Sequence, residues 1–124
     1  MNSLALLYSR IGEKPIQDLV HHFYQEVALK PSLRALYPKD LVAAERRLYL
    51  FMLQLLGGPL TYLEERGHPR LRMRHIQWQI DPAMRDHWMN AMLSALDKVA
   101  FAQEDREALM EYFTRAANAM INHD

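Results

Sequence analysis

The sequence predicts an all-α fold in one domain spanning residues 1–124, and three observations predict it. Apolar residues recur three and four positions apart over four long stretches, the spacing that lines one face of a helix. The six prolines fall at the edges of those stretches rather than inside them, where proline is tolerated and does not break a helix. The one segment that alternates with the period of a strand, residues 76–80, has no partner strand elsewhere in the chain, and an isolated strand cannot satisfy its own backbone.

The first stretch, residues 15–29, carries Ile16, Leu19, Val20, Phe23 and Val27 as a helical stripe, with Gly12 at a turn before it. Residues 1–9 are too short for a substantial helix. Pro31 opens a short helical turn through Leu36, and Tyr37, placed before Pro38, is pushed toward extended backbone and so marks a corner. Asp40 is a helix cap, its carboxylate accepting from free backbone N–H groups. Leu41, Ala44, Leu48, Phe51, Met52 and Leu55 line the helix it opens, and Gly57-Gly58-Pro59 ends it. Residues 60–67 read as loop. Pro69 is expected to start a short helix reaching about His75, followed by an extended connector over residues 76–80 with Trp78 turned inward. Asp81-Pro82 is a strong helix start, a cap followed by proline at the first helical position. Met84, Trp88, Met92, Ala95, Leu96 and Val99 form its apolar face. A last helix over residues 103–121 turns Leu109, Tyr112, Phe113, Ala116 and Met120 inward.

Composition narrows the function classes. The 124 residues carry 15 basic and 15 acidic side chains, and zero net charge argues against the chain as a whole serving as a nucleic-acid or membrane-surface binder. The absence of cysteine removes disulfides, thiolate metal sites and cysteine nucleophiles, and it fits a reducing cytoplasm. No apolar run approaches the roughly 20 residues of a membrane span. The N-terminal residues lack the basic leader and apolar core of a signal peptide, so a cytoplasmic location is expected.

Six histidines are present, His21, His22, His68, His75, His87 and His123, none in the H-E-x-x-H zinc spacing. A three-histidine zinc site stays open on these residues, though no spacing argues for it. Taken singly, each histidine reads as a surface or hydrogen-bonded core residue. His75 differs in context. Leu71 lies four residues before it, and Arg66, Arg70, Arg72 and Arg74 surround it. Four arginines in nine residues form either a solvated cationic face or an anion site, because the planar guanidinium suits carboxylate and phosphate oxygens. In the second case a histidine at the edge of the cluster could ligate a metal whose cofactor carries carboxylates. Tyr24, Tyr37 and Trp88 carry polar tips that need partners if buried. Each alone reads as amphipathic core.

Taken together, these residues resemble the truncated haemoglobins, specifically the second or O-type group. The segment Gly67-His68-Pro69-Arg70-Leu71-Arg72-Met73-Arg74-His75 is similar to that group's stretch ending in the proximal histidine. Gly57-Gly58-Pro59 with Tyr62 resembles its preceding loop, and Phe23-Tyr24, Leu36-Tyr37-Pro38 and Arg85-Asp86-His87-Trp88 resemble its distal motifs. The likeness spans nearly the whole chain. One departure is Gly12-Glu13, where the family often has paired glycines.

The resemblance implies a shortened, two-over-two helical globin binding haem b (iron protoporphyrin IX). His75 would be the iron ligand, with its other ring nitrogen oriented by a backbone carbonyl. Arg47, Tyr62 and Arg74 would hold the propionates, and Phe51, Met52, Leu71, Trp78 and Met92, with Leu48, would pack the ring. Tyr24, Tyr37 and Trp88 would face the ligand, beside Leu48 and Ala44. Ala44 stands where many globins keep a distal histidine, and its methyl cannot donate. The function implied is reversible binding of O2, CO or NO with slow release. The alternative is a haem enzyme oxidising NO to nitrate or reducing peroxide, with a separate reductase, since no flavin or nicotinamide domain is present. A monomer or homodimer is expected. The haem-free reading is a helical interaction module whose arginines bind an acidic partner; it leaves the four ordered motifs unexplained.

Overall fold

The computed structural model describes residues 3–70 and 79–122. A 3-10 turn, Ser3–Leu6, leads into the short helix α1, Leu7–Ile11. Then follow α2 (Lys14–Leu29), α3 (Pro31–Arg34), α4 (Leu41–Leu55), α5 (Thr61–Arg66), α6 (Pro82–Asp97) and α7 (Gln103–Met120). Among the described residues there is no strand.

The stripe on α2 behaves as its spacing dictates. Ile16, Leu19, Val20, Phe23 and Val27 are all buried, and they meet the buried face of α6, Met89, Ala91, Met92, Ala95 and Leu96. Helix α2 also packs on α4, and α6 on α7. The pair α2/α4 therefore lies over the pair α6/α7, two helices upon two, with one continuous core between them.

Local signals set the helix ends. Asp40 accepts from the backbone N–H groups of Val42 (3.0 Å) and Ala43 (3.2 Å), capping α4 as expected. Asp81 accepts from Met84 N–H at 2.8 Å, with Pro82 at the first helical position of α6. Gly57 ends α4 with φ +90°, and a side chain there would strike the carbonyl of Ala5, so this turn admits only glycine. The fit brings the chain's first residues against the end of α4, where Tyr8 N–H donates to Leu56 O at 2.9 Å.

Two expectations change. Residues 60–67 are not loop: Thr61–Arg66 forms α5. It is held from α4, by Gln54 accepting from Leu63 N–H at 3.0 Å and by Arg46 gripping the Glu65 carboxylate through two bonds of 2.7 and 2.8 Å. Nor does a helix open on Pro69. Residues 69 and 70 are irregular, and Arg70 takes φ +46°, which a right-handed helix cannot contain. The remainder of that expected helix, and residues 76–78 of the expected connector, lie outside the described residues. Ile80, at the connector's end, is buried. On α7 the buried face is Asp105, Leu109, Phe113 and Ala117 rather than Ala116, a shift of one position.

Two long-range ties close the fold. Asp105 is buried and receives Arg10 through bonds of 2.8 and 3.3 Å, joining α1 to α7. At the other end of α7, Asn122 N–H donates to Ile80 O and Ile80 N–H donates to the Asn122 side chain, each at 2.8 Å. One turn earlier, Asn118 accepts from Arg85 Nε at 2.8 Å. The last residues of the chain thus clamp the entry into α6.

Candidate functional site

Three elements bring the expected distal residues together. Helix α2 supplies Tyr24, the corner after α3 supplies Tyr37, and α6 supplies Trp88. The Tyr24 and Tyr37 rings meet edge to face, with centroids 5.6 Å apart at 83°. Phe23 joins them from the core side, 5.2 Å from Tyr24 and 5.3 Å from Trp88. Trp88 in turn leans on Phe113 of α7 at 5.8 Å. The rings therefore fix one another's planes, so the polar tips are held by packing rather than left to rotate.

Burial pushes the Tyr37 hydroxyl up to about 12, with the nearby Trp88 indole N–H, which can only donate, pulling the other way. The hydroxyl therefore keeps its proton and can donate it. Tyr24 is raised further, first by burial and then by the neighbouring Tyr37. Both are neutral donors throughout the physiological range.

A tyrosine whose folded pKa exceeds the unfolded value of about 10 stabilises the fold below pH 10, and that contribution is lost as pH climbs through the folded value. The denaturation midpoint is therefore expected to fall above about pH 10, and to fall less steeply in Tyr37→Phe. Equal slopes in both proteins would show that Tyr37 does not carry the effect.

Helix α4 forms the adjoining wall. Ala44, Arg47, Leu48, Phe51 and Met52 share one face by their spacing. Ala44 and Met52 are buried, whereas Leu48 and Phe51 are only half-covered. Tyr62 of α5 is buried and sets its ring against Phe51 at 5.6 Å. Met92 of α6 is fully buried. Arg47 lies within electrostatic reach of Tyr24 and makes no ion pair among the described residues. Half-covered large apolar side chains beside an arginine without a counter-ion suit a flat apolar group that carries carboxylates. The residues present fit haem.

His75, Leu71, Arg74 and Trp78 lie outside the described residues. Of the other histidines, His21 is exposed beside Glu45 at 3.4 Å, His22 contacts Gln25 at 3.1 Å, and His68 and His87 are exposed. Among the described residues no group of three metal-ligating side chains is assembled. This disfavours the three-histidine zinc site within that part of the chain.

The model of the bacterial-like globin family matches residues 6–122. The chain belongs to that family. The globin is 40% identical over 115 residues to the Group 2 truncated hemoglobin YjbI of Bacillus subtilis (strain 168), covering 93% of this chain and 87% of that one. Among solved structures, the hemoglobin of the thermophilic phototrophic bacterium Chloroflexus aurantiacus superposes with a TM-score of 0.92 at 43% identity, covering 95% of this globin and 98% of that chain. The truncated oxygen-avid haemoglobin of Bacillus subtilis gives 0.89 at 39% identity, covering 94% and 99%. The two-upon-two arrangement of this globin is accordingly the truncated-globin fold.

Sequence reasoning missed two features of this globin. Arg34, whose guanidinium reaches three backbone carbonyls at the Tyr37 corner, was signalled only by an arginine three residues before Tyr-Pro. The approach of Trp88 to Tyr37 brings together residues far apart in sequence and has no local signal.

Proposed function

We propose that this globin binds O2, and with it CO and NO, reversibly and with slow release. The observation that carries the reading is the convergence of Tyr24, Tyr37 and Trp88, from three elements, beside the half-covered apolar face of α4. Haem b, ligated through His75, would supply an iron with one position open to a diatomic ligand.

The chain's own residues do the rest. Leu48 and Phe51 would cover the ring, Met52 and Met92 would back it, and Arg47 and Arg74 would meet its carboxylates, with Tyr62 beside them. Leu71 and Trp78 would complete the apolar surround. Tyr37 would donate its proton to the bound ligand, and Tyr24 would add a second neutral hydroxyl. Ala44 withholds a donor and leaves room. Fixed donors in a water-poor pocket stabilise a ligand that gathers negative charge. Among the relatives, the Bacillus subtilis structure is described as oxygen-avid, which agrees with donors that slow release. No described helix is long and apolar enough to cross a membrane, and a cytoplasmic monomer or homodimer suits the reading.

The test is the visible spectrum of the purified protein, ferric, reduced, and reduced with CO. A Soret band that shifts on reduction and sharpens with CO is expected. No Soret band after addition of hemin would remove the reading.

A further inference from the structure

The corner that carries Tyr37 has little backbone bonding of its own beyond the turn that leads into it. It runs from the end of α3, at Arg34, to the Asp40 cap of α4. Pro38 has no N–H to give. The Asp40 carboxylate is spent on Val42 and Ala43. Among the described residues no backbone N–H is bonded to the carbonyls of Tyr37, Pro38 or Lys39.

All three carbonyls are taken by one side chain. Arg34 Nη1 donates to Tyr37 O at 3.2 Å and to Pro38 O at 3.0 Å, and its Nη2 donates to Lys39 O at 3.1 Å. Its backbone closes the same turn, Arg34 O accepting from Tyr37 N–H at 3.1 Å. A planar fork of fixed N–H groups is pre-organised to serve three successive carbonyls at once, with less loss of side-chain freedom than an ammonium on a flexible stem.

From these contacts we infer that Arg34 is a positioning residue for ligand release. It fixes the backbone on either side of Tyr37, and so fixes where the Tyr37 hydroxyl stands between the Tyr24 ring and the Trp88 N–H. This rests on the ligand-binding reading above. Among the described residues the Arg34 guanidinium bonds these carbonyls and neither aromatic tip. Its effect is exerted through the corner.

The test uses the haem-loaded protein, with O2 release by stopped flow and the C–O stretch of the CO complex by infrared. Arg34→Met keeps the apolar stem and removes every donor. It is expected to speed O2 release by roughly tenfold, the size of one net hydrogen bond to a charged partner. The C–O band is expected to broaden or split as Tyr37 takes more than one position. Arg34→Lys, which keeps the charge but not the fork, is expected to show the same changes at smaller size, and serves alone if the methionine variant does not fold. In a Tyr37→Phe background neither substitution should alter release further.

Release and band unchanged from the parent would overturn the inference. So would an equal acceleration with and without the Tyr37 hydroxyl, which would mark Arg34 as a general support of the fold. A parent protein with no C–O band would instead overturn the ligand-binding reading, and the inference with it.

Discussion

His75→Ala is expected to lose tightly bound haem. The described histidines are turned outward or engaged elsewhere: His21 beside Glu45, His22 against Gln25, His68 and His87 at the surface. None of them stands ready to replace an iron ligand. Changing merely the outer partner of a metal ligand costs about 10–100-fold in affinity, so removing the ligand is expected to cost more than about 100-fold. Transfer of haem to an acceptor apoprotein would measure the loss. The reduced spectrum of any haem that remains should lack five-coordinate histidine character, and added imidazole should restore part of it. A normal reduced spectrum in the variant would remove His75 from the iron.

The second large effect concerns release of O2. Trp88→Phe and Tyr37→Phe are each expected to speed it roughly 10- to 100-fold, from a net bond to a charged partner of about 1.5–3 kcal/mol. The structure adds a condition on their combination. Because the Trp88 indole lies close enough to act on the Tyr37 hydroxyl, the two are expected to act partly as one unit, and the double variant should release O2 little faster than the faster single variant. Residues sharing a hydrogen-bond network depart from additivity in this way. Tyr24→Phe is expected to speed release too, and to add more nearly independently, since its contact with Tyr37 is through ring edges. Unchanged release in both Trp88→Phe and Tyr24→Phe would count against the distal assignment, and strict additivity of Trp88 and Tyr37 would count against coupling between them.

What was legible in the sequence follows from how local its cause is. The stripe from Ile16 to Val27, the Asp40 cap and the Asp81-Pro82 start are decided within one or two helical turns, and the structure has them where the residues place them. Helix α5 was missed because six residues are too few to show a period, and because its hold comes from Gln54 and Arg46 on another helix. The left-handed turn at Arg70 has no residue type that announces it. The buried Asp105 was missed for a stronger reason: its partner Arg10 lies 95 residues away, and a carboxylate on a helix reads as solvated until that partner is known.

The site divides in the same way. Aromatic side chains with polar tips could be singled out one by one, and the family resemblance placed them on the distal side. Their convergence depends on how α2, the corner after α3 and α6 meet, and no spacing encodes that. The grip of Arg34 on the corner is local, and its place three residues before Tyr-Pro was the only sign of it.

The ties at the two ends of α7 also set an order of events during synthesis. Ile80 leaves the peptidyl-transferase site 42 residues before Asn122, the residue that clamps it, and Arg10 leaves 95 residues before Asp105. At about 5–20 residues per second, the first waits roughly 2–8 s and the second roughly 5–20 s for its partner. Helices α2 and α4 exist for that interval without the layer that covers them. On the haem-binding reading, the ring is expected to be enclosed only after α7 has been made.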